Sequence, residues 1–415
     1  MNRKRVVVTG LGAVTVLGAS IEQFWNGLVQ GRSGIRRITQ FDASHLPCQI
    51  AGEIPDFEVE KYMERKEARR VSRAGQVSLA AAIQAVKDAG LPETMPEPER
   101  TGVAFGTAIG GMERFDEGII SLRTLGYDKT NPFVIPSGIP NLPAFMISRQ
   151  FKCFGPSSTV CTACATGTQA VGEATEIIRR GAADIVVTGG VEALIRDFSI
   201  AGFCAMRAMP LNYNDRPEAA SRPFDAKREG FIFSEGAGAL ILESLDHAQS
   251  RGARIYAEVV GQASSGDGYH VAAPDPEALG PIRTMRWAIQ DAGLQPHDVD
   301  YINAHGTSTP LNDATETKAI KAVFGEHAYR LAVNSTKSMI GHAMGASGAL
   351  EAIVCALSLA NGVIHPTINY EYPDPELDLD YVPNQARQVR VNVAMSNSFG
   401  LGGQNACLVL RRFTA

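Results

Sequence analysis

Short runs rich in β-branched residues alternate along this chain with long Ala-rich amphipathic stretches, and that alternation narrows the fold more than any other feature. Strands separated by helices cannot pair as hairpins, so they must lie largely parallel in a sheet covered by helices. The β-branched runs predict buried strands at 6–9, 102–105, 184–188 and 239–242, then at 255–260, 300–303, 331–333 and 406–410. Helices are expected over 72–88, 166–180, 279–291, 314–324 and 346–361. Each half contains a short strand, a small-residue turn and an Ala/Gly-rich helix, with Cys161-Thr162-Ala163-Cys164 in one and Ser335-Thr336-Lys337-Ser338 to His342 in the other. This weak repeat predicts two similar α/β halves joined near 248–255, giving domains over 1–252 and 253–415.

At 415 residues, 45% hydrophobic and 20% charged, the chain can bury two ordinary cores. A net charge of -5 with scattered Lys and Arg argues against a nucleic-acid surface. The N-terminal Asn2-Arg3-Lys4-Arg5 before an apolar run imitates a secretory signal. Gly10, Gly12 and Gly18 interrupt that run, so a buried strand entering a tight turn is the better reading. No uninterrupted apolar stretch is expected to span a bilayer. Seven cysteines at irregular spacing make a disulfide framework a poor fit and a reducing cytoplasm the expected compartment.

Gly10-Leu11-Gly12-Ala13-Val14-Thr15 lacks the third glycine of a dinucleotide fingerprint, and no acidic residue closes a second strand about twenty positions on. The strongest local signal is Thr162-Ala163-Cys164-Ala165-Thr166-Gly167, a cysteine walled by small residues where a strand turns into a helix. A helix N-terminus there would favour thiolate and offer N–H groups to an oxyanion. A buried core cysteine is the bland alternative; Cys161 and Cys164 also form a Cys-x-x-Cys pair, too little for a four-sulfur zinc site but compatible with thiol redox chemistry. Three polar islands accompany it: His305-Gly306-Thr307-Ser308-Thr309 after a strand, Lys337 followed by Gly341-His342-Ala343, and the glycine-rich turn Asn397-Ser398-Phe399-Gly400-Leu401-Gly402-Gly403.

In order, spacing and flanking sequence these segments resemble the condensing enzymes, and within them the β-ketoacyl-acyl-carrier-protein synthases of the elongating type. Arg222-Pro223-Phe224-Asp225, Glu235-Gly236-Ala237-Gly238 and Asn397-Ser398-Phe399-Gly400 extend the likeness over almost the whole chain. The resemblance implies a thiolase-like five-layered αβαβα architecture of two similar halves. It also implies a homodimer that works with acyl carrier protein and needs neither a redox cofactor nor a metal, the phosphopantetheine arriving on the carrier. Composition and periodicity alone reach only a two-part α/β scaffold.

By the same resemblance Cys164 takes an acyl chain, and His305 and His342 donate hydrogen bonds to the malonyl thioester oxygen during decarboxylation. The backbone N–H groups of Cys164 and Leu401 form the oxyanion hole, and Lys337 organises the site electrostatically. Glu316 orders the polar network; for Asp313 charge complementarity at a helix start is an equal reading. Thr307, Thr309, Ile109, Phe203, Phe399 and Leu401 contact substrate. Leu401 stands where relatives carry a second Phe that gates the nucleophile. Carrier docking falls to Lys66, Arg69, Arg70, Lys129 and Arg207, with Arg65, Arg69 and Arg73 read at i, i+4 spacing on one helical face and Asp128 weakening the footprint. A His-His pair distinguishes elongating enzymes from the His-Asn pair of initiating ones and the second cysteine of thiolases. The alternatives are a ketosynthase of a polyketide or specialised lipid pathway, and a non-catalytic chain-length partner, which usually lacks the nucleophile.

Overall fold

The computed structural model describes residues 3–414. Its principal sheet contains β1 (Val6–Val14), β2 (Thr101–Thr107), β3 (Ser157–Ser158), β4 (Ile185–Glu192), β5 (Gly236–Ser244), β6 (Ala257–Gly266), β7 (Tyr301–Asn303), β8 (Ala332–Asn334), β9 (Val393–Gly400) and β10 (Gln404–Arg411). The main helices are α1 (Ile21–Val29), α2 (Arg73–Asp88), α3 (Met112–Leu125), α4 (Leu142–Phe151), α5 (Thr166–Arg179), α6 (Asp197–Ala205), α7 (Leu279–Asp291), α8 (Pro310–Phe324) and α9 (Ser347–Asn361).

The strand order runs β8-β7-β9-β10-β6-β1-β5-β4-β2-β3. Read outward from the centre, the first half is β1-β5-β4-β2-β3 and the second β6-β10-β9-β7-β8, the same permutation of five consecutive strands. Orientations repeat as well: β1/β5 and β5/β4 are antiparallel while β4/β2 and β2/β3 are parallel. The second half shows antiparallel β6/β10 and β10/β9, then parallel β9/β7 and β7/β8. Only Val6 to Val8 pair across the centre, with Val259 to Ala257. The repeat that was faint in sequence is therefore complete in topology.

Five layers follow. Helices α2 and α4 cover the outer face of the first half, α7 and α8 lie outside the second, and α5 and α9 cross each other between the two. Each outer layer has its own apolar cluster, and a third fills the centre. Because the middle helices face sheet on both sides, α9 is buried along nearly all its length. With its lead-in turn it spans Met344–Asn361 at mean hydropathy 1.3, long and apolar enough by composition to cross a membrane, although Ser347, Glu351 and Ser358 interrupt its apolar run. It is 89% buried, so its apolar surface is satisfied by protein.

Each of the eight expected strands falls on an observed one, and the expected helices match α2, α5, α7, α8 and α9. Three readings are corrected. The sheet is not largely parallel: five of its nine strand pairings are antiparallel, because β5 and β10 return between the parallel strands of each half and the centre, and β9 and β10 form a hairpin. Gly10 and Gly12 do not form a tight turn but lie inside β1, where a Cβ on Gly12 would stand 2.0 Å from the Ala81 carbonyl oxygen of α2. Glycine there permits close helix-on-sheet approach. Asn397 to Gly400, read as part of a turn, complete β9, and the turn proper begins at Leu401.

Candidate active site

The polar islands converge between the halves. Cys164 lies in a single 3-10 turn, Ala163–Ala165, that leads directly into α5. Ala163 adopts φ +48, a left-handed conformation unusual for alanine, which turns the chain sharply just before Cys164. His305 follows β7 by two residues, and His342 follows the short helix Lys337–Ile340. Cys164 Sγ and ring nitrogens of His305 and His342 lie within 4.8 Å of one another, and all three residues are buried. Such a donor set could also ligate an ion, but its setting at the head of a cavity and its flanking N–H groups fit a thiol nucleophile with two hydrogen-bond donors.

Burial dominates the electrostatics. It pushes the Cys164 thiol up to about 11, against the opposing pull of the Leu401 N–H, the Lys337 ammonium and the residue's own N–H. The sequence expectation of a thiolate favoured by the helix N-terminus is thus corrected: desolvation outweighs it. His305 and His342 are held well below the ordinary histidine range by burial first and the Lys337 charge second, with His342 adding to the effect on His305. Both rings are neutral at pH 7. His342 Nδ1 meets the Ser347 hydroxyl at 3.0 Å, and its Nε2 is buried without a protein partner, as is Nδ1 of His305. If Ser347 donates, Nε2 carries the proton and points a free donor into the site.

Supporting groups fix the loops. Glu316 accepts from the N–H groups of His305 at 2.9 Å and Gly306 at 2.8 Å, and from Asn397 Nδ2 at 3.2 Å. Burial raises its carboxyl to about 7. Asp313 accepts from Phe224 N at 2.8 Å and Ser308 N at 3.2 Å, with Arg228 3.8 Å away, so it ties two loops together besides sitting in the first turn of α8. Thr307 and Thr309 share a 2.9 Å hydroxyl contact, and Thr309 also caps α8.

A cavity of about 420 Å³ opens from this cluster to the surface. Cys164, His305, His342, Met344, Phe399 and Leu401 form its floor, Thr307 and Thr309 its side, and Arg207 stands at its mouth. Ile109 and Phe203 do not line it; they pack in one apolar cluster with Cys164, Leu401 and Phe231. Lys337 is fully buried and ion-paired with Glu351, whose carboxyl burial raises to about 7.

The basic surface differs from its expected form. Helical structure covers Arg65–Ala68 and resumes at Arg73, so Arg65, Arg69 and Arg73 do not share one helical face. Arg73 turns inward onto buried Glu235, at 2.6 Å. Lys66, Arg69, Arg70, Lys129 and Arg207 are exposed, and the Arg70 guanidinium lies 4.9 Å from the Phe133 ring centroid. Sequence reasoning missed Glu192 and Glu351. Each is a lone acid in an otherwise apolar element, at the end of β4 and inside α9, which is the one signal that could have found them.

Comparison with known proteins is consistent with this geometry. Residues 3–248 match the family described as beta-ketoacyl synthase, N-terminal domain, and residues 256–371 match beta-ketoacyl synthase, C-terminal domain. The 3-oxoacyl-[acyl-carrier-protein] synthase 2 of Staphylococcus aureus (strain COL) is 48% identical over 412 residues, 99% of each chain. That of Synechocystis is 46% identical over 413 residues, 100% of this chain and 99% of its own. Among solved structures, the ishigamide ketosynthase/chain length factor superposes with a TM-score of 0.93 at 38% identity, over 99% of this chain and 100% of the other. A type II polyketide ketosynthase in complex with its acyl-carrier protein gives 0.92 at 36% identity, with the same coverage. The shared fold, the two matched domains and the full-length identity place this chain in the β-ketoacyl synthase family.

Proposed function

We propose that this chain is a β-ketoacyl-acyl-carrier-protein synthase that lengthens an acyl chain by decarboxylative condensation with malonyl-acyl-carrier protein in fatty acid synthesis. The observation that carries the reading is the convergence of Cys164 with two neutral histidines at the floor of an open cavity. Identity favours fatty acid elongation over the polyketide alternative: the synthase 2 relatives stand at 46–48%, the type II polyketide ketosynthase at 36%.

In this mechanism the Cys164 sulfur attacks the acyl thioester, the carbon–sulfur bond to the carrier breaks, and the proton leaves with the carrier thiol. The N–H groups of Cys164 and Leu401, which oppose burial at Sγ, take the oxyanion of the tetrahedral state. Malonyl-carrier protein then enters, and His305 and His342 donate to its thioester oxygen. Carbon dioxide leaves, and the electron pair of the broken carbon–carbon bond is held as enolate. The enolate carbon attacks the acyl carbonyl on Cys164, forming the new carbon–carbon bond and expelling the cysteine sulfur. Burial, aided by the charge of Lys337 that Glu351 neutralises in part, keeps both rings neutral so that they act as hydrogen-bond donors without becoming acids.

Acyl carrier protein is the proposed partner, docking on Lys66, Arg69, Arg70, Lys129 and Arg207, and its phosphopantetheine is the only prosthetic arm the reaction requires. The halves divide at residues 252 and 253, and the protein acts in the cytoplasm. A homodimer is supported by exposed Ile120, Leu122 and Leu125 on α3, beside Tyr127 and Ile135, and by β3 at an open sheet edge. The test follows carbon dioxide release and β-ketoacyl product separately in Cys164→Gln. Condensation should vanish while decarboxylation of malonyl-carrier protein persists; continued condensation would remove Cys164 from its role.

A further inference from the structure

Glu192 closes β4 as a fully buried carboxylate that the condensation steps do not use. Its Oε1 accepts from Thr107 Oγ1 at 2.9 Å and Ile109 N at 3.4 Å; its Oε2 accepts from Ala108 N at 3.0 Å and Gly345 N at 3.2 Å. Three donors belong to the end of β2 in the first half, and the fourth to the turn ahead of α9 in the second. Burying a carboxylate is costly unless several donors surround it, and burial does raise this one to about 7. The cost locates a function that a neutral residue would not serve.

The two segments it joins flank the nucleophile. Ile109 belongs to the apolar cluster behind Cys164, where an acyl chain attached to the sulfur must lodge. Met344, adjacent to Gly345, has its sulfur 4.0 Å from Cys164 Sγ and adopts φ +37. The repeat supplies an independent observation. Ile109 stands two residues beyond β2, and His305 two residues beyond β7, the matching strand of the second half. There Glu316 accepts from His305 and Gly306, as Glu192 accepts from Ala108 and Ile109. Both halves therefore hold a buried carboxylate beneath the corresponding strand exit. In the second half it positions a catalytic ring, in the first an apolar wall.

We propose that Glu192 is a positioning residue for acyl transfer: it ties Ala108–Ile109 to Met344–Gly345 and so sets the separation of the two walls between which the acyl chain on Cys164 is seated. The inference rests on the proposed condensing activity. Long chains need both walls in register along more of their length than short ones, so loss of the tie penalises them selectively. Decarboxylation is insulated, because His342 has anchors of its own in Ile232 O, 2.7 Å from its N–H, and in Ser347.

The experiment compares the full chain with Glu192→Gln, following acylation of Cys164 by mass spectrometry with acetyl-, octanoyl- and palmitoyl-carrier protein, and carbon dioxide release in a Cys164→Gln background. The amide keeps the shape but loses the charge, and its N–H₂ must face either the Ile109 N–H beside the Thr107 hydroxyl or both the Ala108 and Gly345 N–H groups, so palmitoyl loading should slow by about tenfold, the effect of one lost charge-assisted hydrogen bond. Acetyl loading and decarboxylation should stay within about twofold, a split that general destabilisation would not produce. Equal slowing at all lengths, or no slowing, overturns the proposal. Should Glu192→Gln fail to fold, Thr107→Val, which removes one donor and leaves the carboxylate, decides by the same graded loss or its absence. No acylation of Cys164 in the unaltered chain would instead refute the condensing activity itself.

Discussion

The resting state of the Cys164 thiol gives the most direct quantitative check. With its pKa near 11, Cys164 carries only about one thiolate in a thousand at pH 8, because each unit of separation is tenfold. Iodoacetamide reacts with thiolate alone, so the alkylation rate at Cys164 should climb about tenfold per pH unit from pH 7 to pH 10 without levelling. The raised pKa fixes the sign: the plateau moves to alkaline pH. Lys337→Met removes a positive charge that pulls the thiol down, so the same variant should slow alkylation at every pH below the plateau. Peptide mapping must separate Cys164 from Cys161, which is exposed and would otherwise dominate the signal. A plateau at Cys164 below pH 9, or faster alkylation in Lys337→Met, would refute the view that burial governs this thiol. On the proposed mechanism, deprotonation then accompanies substrate binding instead of preceding it, and the Leu401 and Cys164 N–H groups that favour the thiolate would serve the oxyanion in turn.

Ile109→Phe should shorten the longest acyl chain accepted by filling space in the cluster behind Cys164, read as loading rate against chain length; an unchanged profile in a folded variant moves the pocket elsewhere. Charge reversal at Lys66 and Arg70 should raise the Michaelis constant for carrier-bound substrate several-fold at low salt, with the difference shrinking as salt rises and a pantetheine thioester spared. Equal damage to both substrates would count against docking there. Leu401→Phe should slow loading of bulky or branched acyl groups with little change in decarboxylation, since the leucine side chain forms part of the cavity floor beside Cys164. Identical loading rates across straight and branched chains would leave Leu401 with a backbone role only.

What could be read in the sequence was what depends on local pattern. Cys164 was visible because small residues on both sides are required where a strand turns into a buried helix, and α7 was placed residue for residue by its apolar periodicity. Contacts between distant segments were not visible. Glu351 is a single charge in an apolar helix until Lys337 is found against it, and Glu192 acquires meaning only when β4 lies beside β2. Gly10 and Gly12 were misread because close approach of a helix leaves no trace in the neighbouring residues. The thiol's charge was misjudged for a related reason: a helix N-terminus is legible in sequence, whereas the depth at which it is buried is a property of the assembled layers.

The repeated topology explains why the chemistry sits where it does and why it is unequal between the halves. Each half sends its chain from the third strand into a turn with one left-handed residue, Ala163 in the first and Met344 in the second, and then into a central helix. The residue after that turn is Cys164 in one half and Gly345 in the other, so one turn provides the proposed nucleophile and the other provides only room and an N–H. At the second strand's exit the asymmetry is reversed: His305 faces the sulfur in the second half, and Ile109 backs it in the first. Two equivalent frameworks meeting across α5 and α9 thus place a thiol and an apolar wall from one side against hydrogen-bond donors from the other. The Ile109 wall behind Cys164 comes from one half and the His305–His342 pair from the other, so on the proposed mechanism substitutions at Ile109 or Glu192 should alter loading while those at His305 or His342 alter decarboxylation.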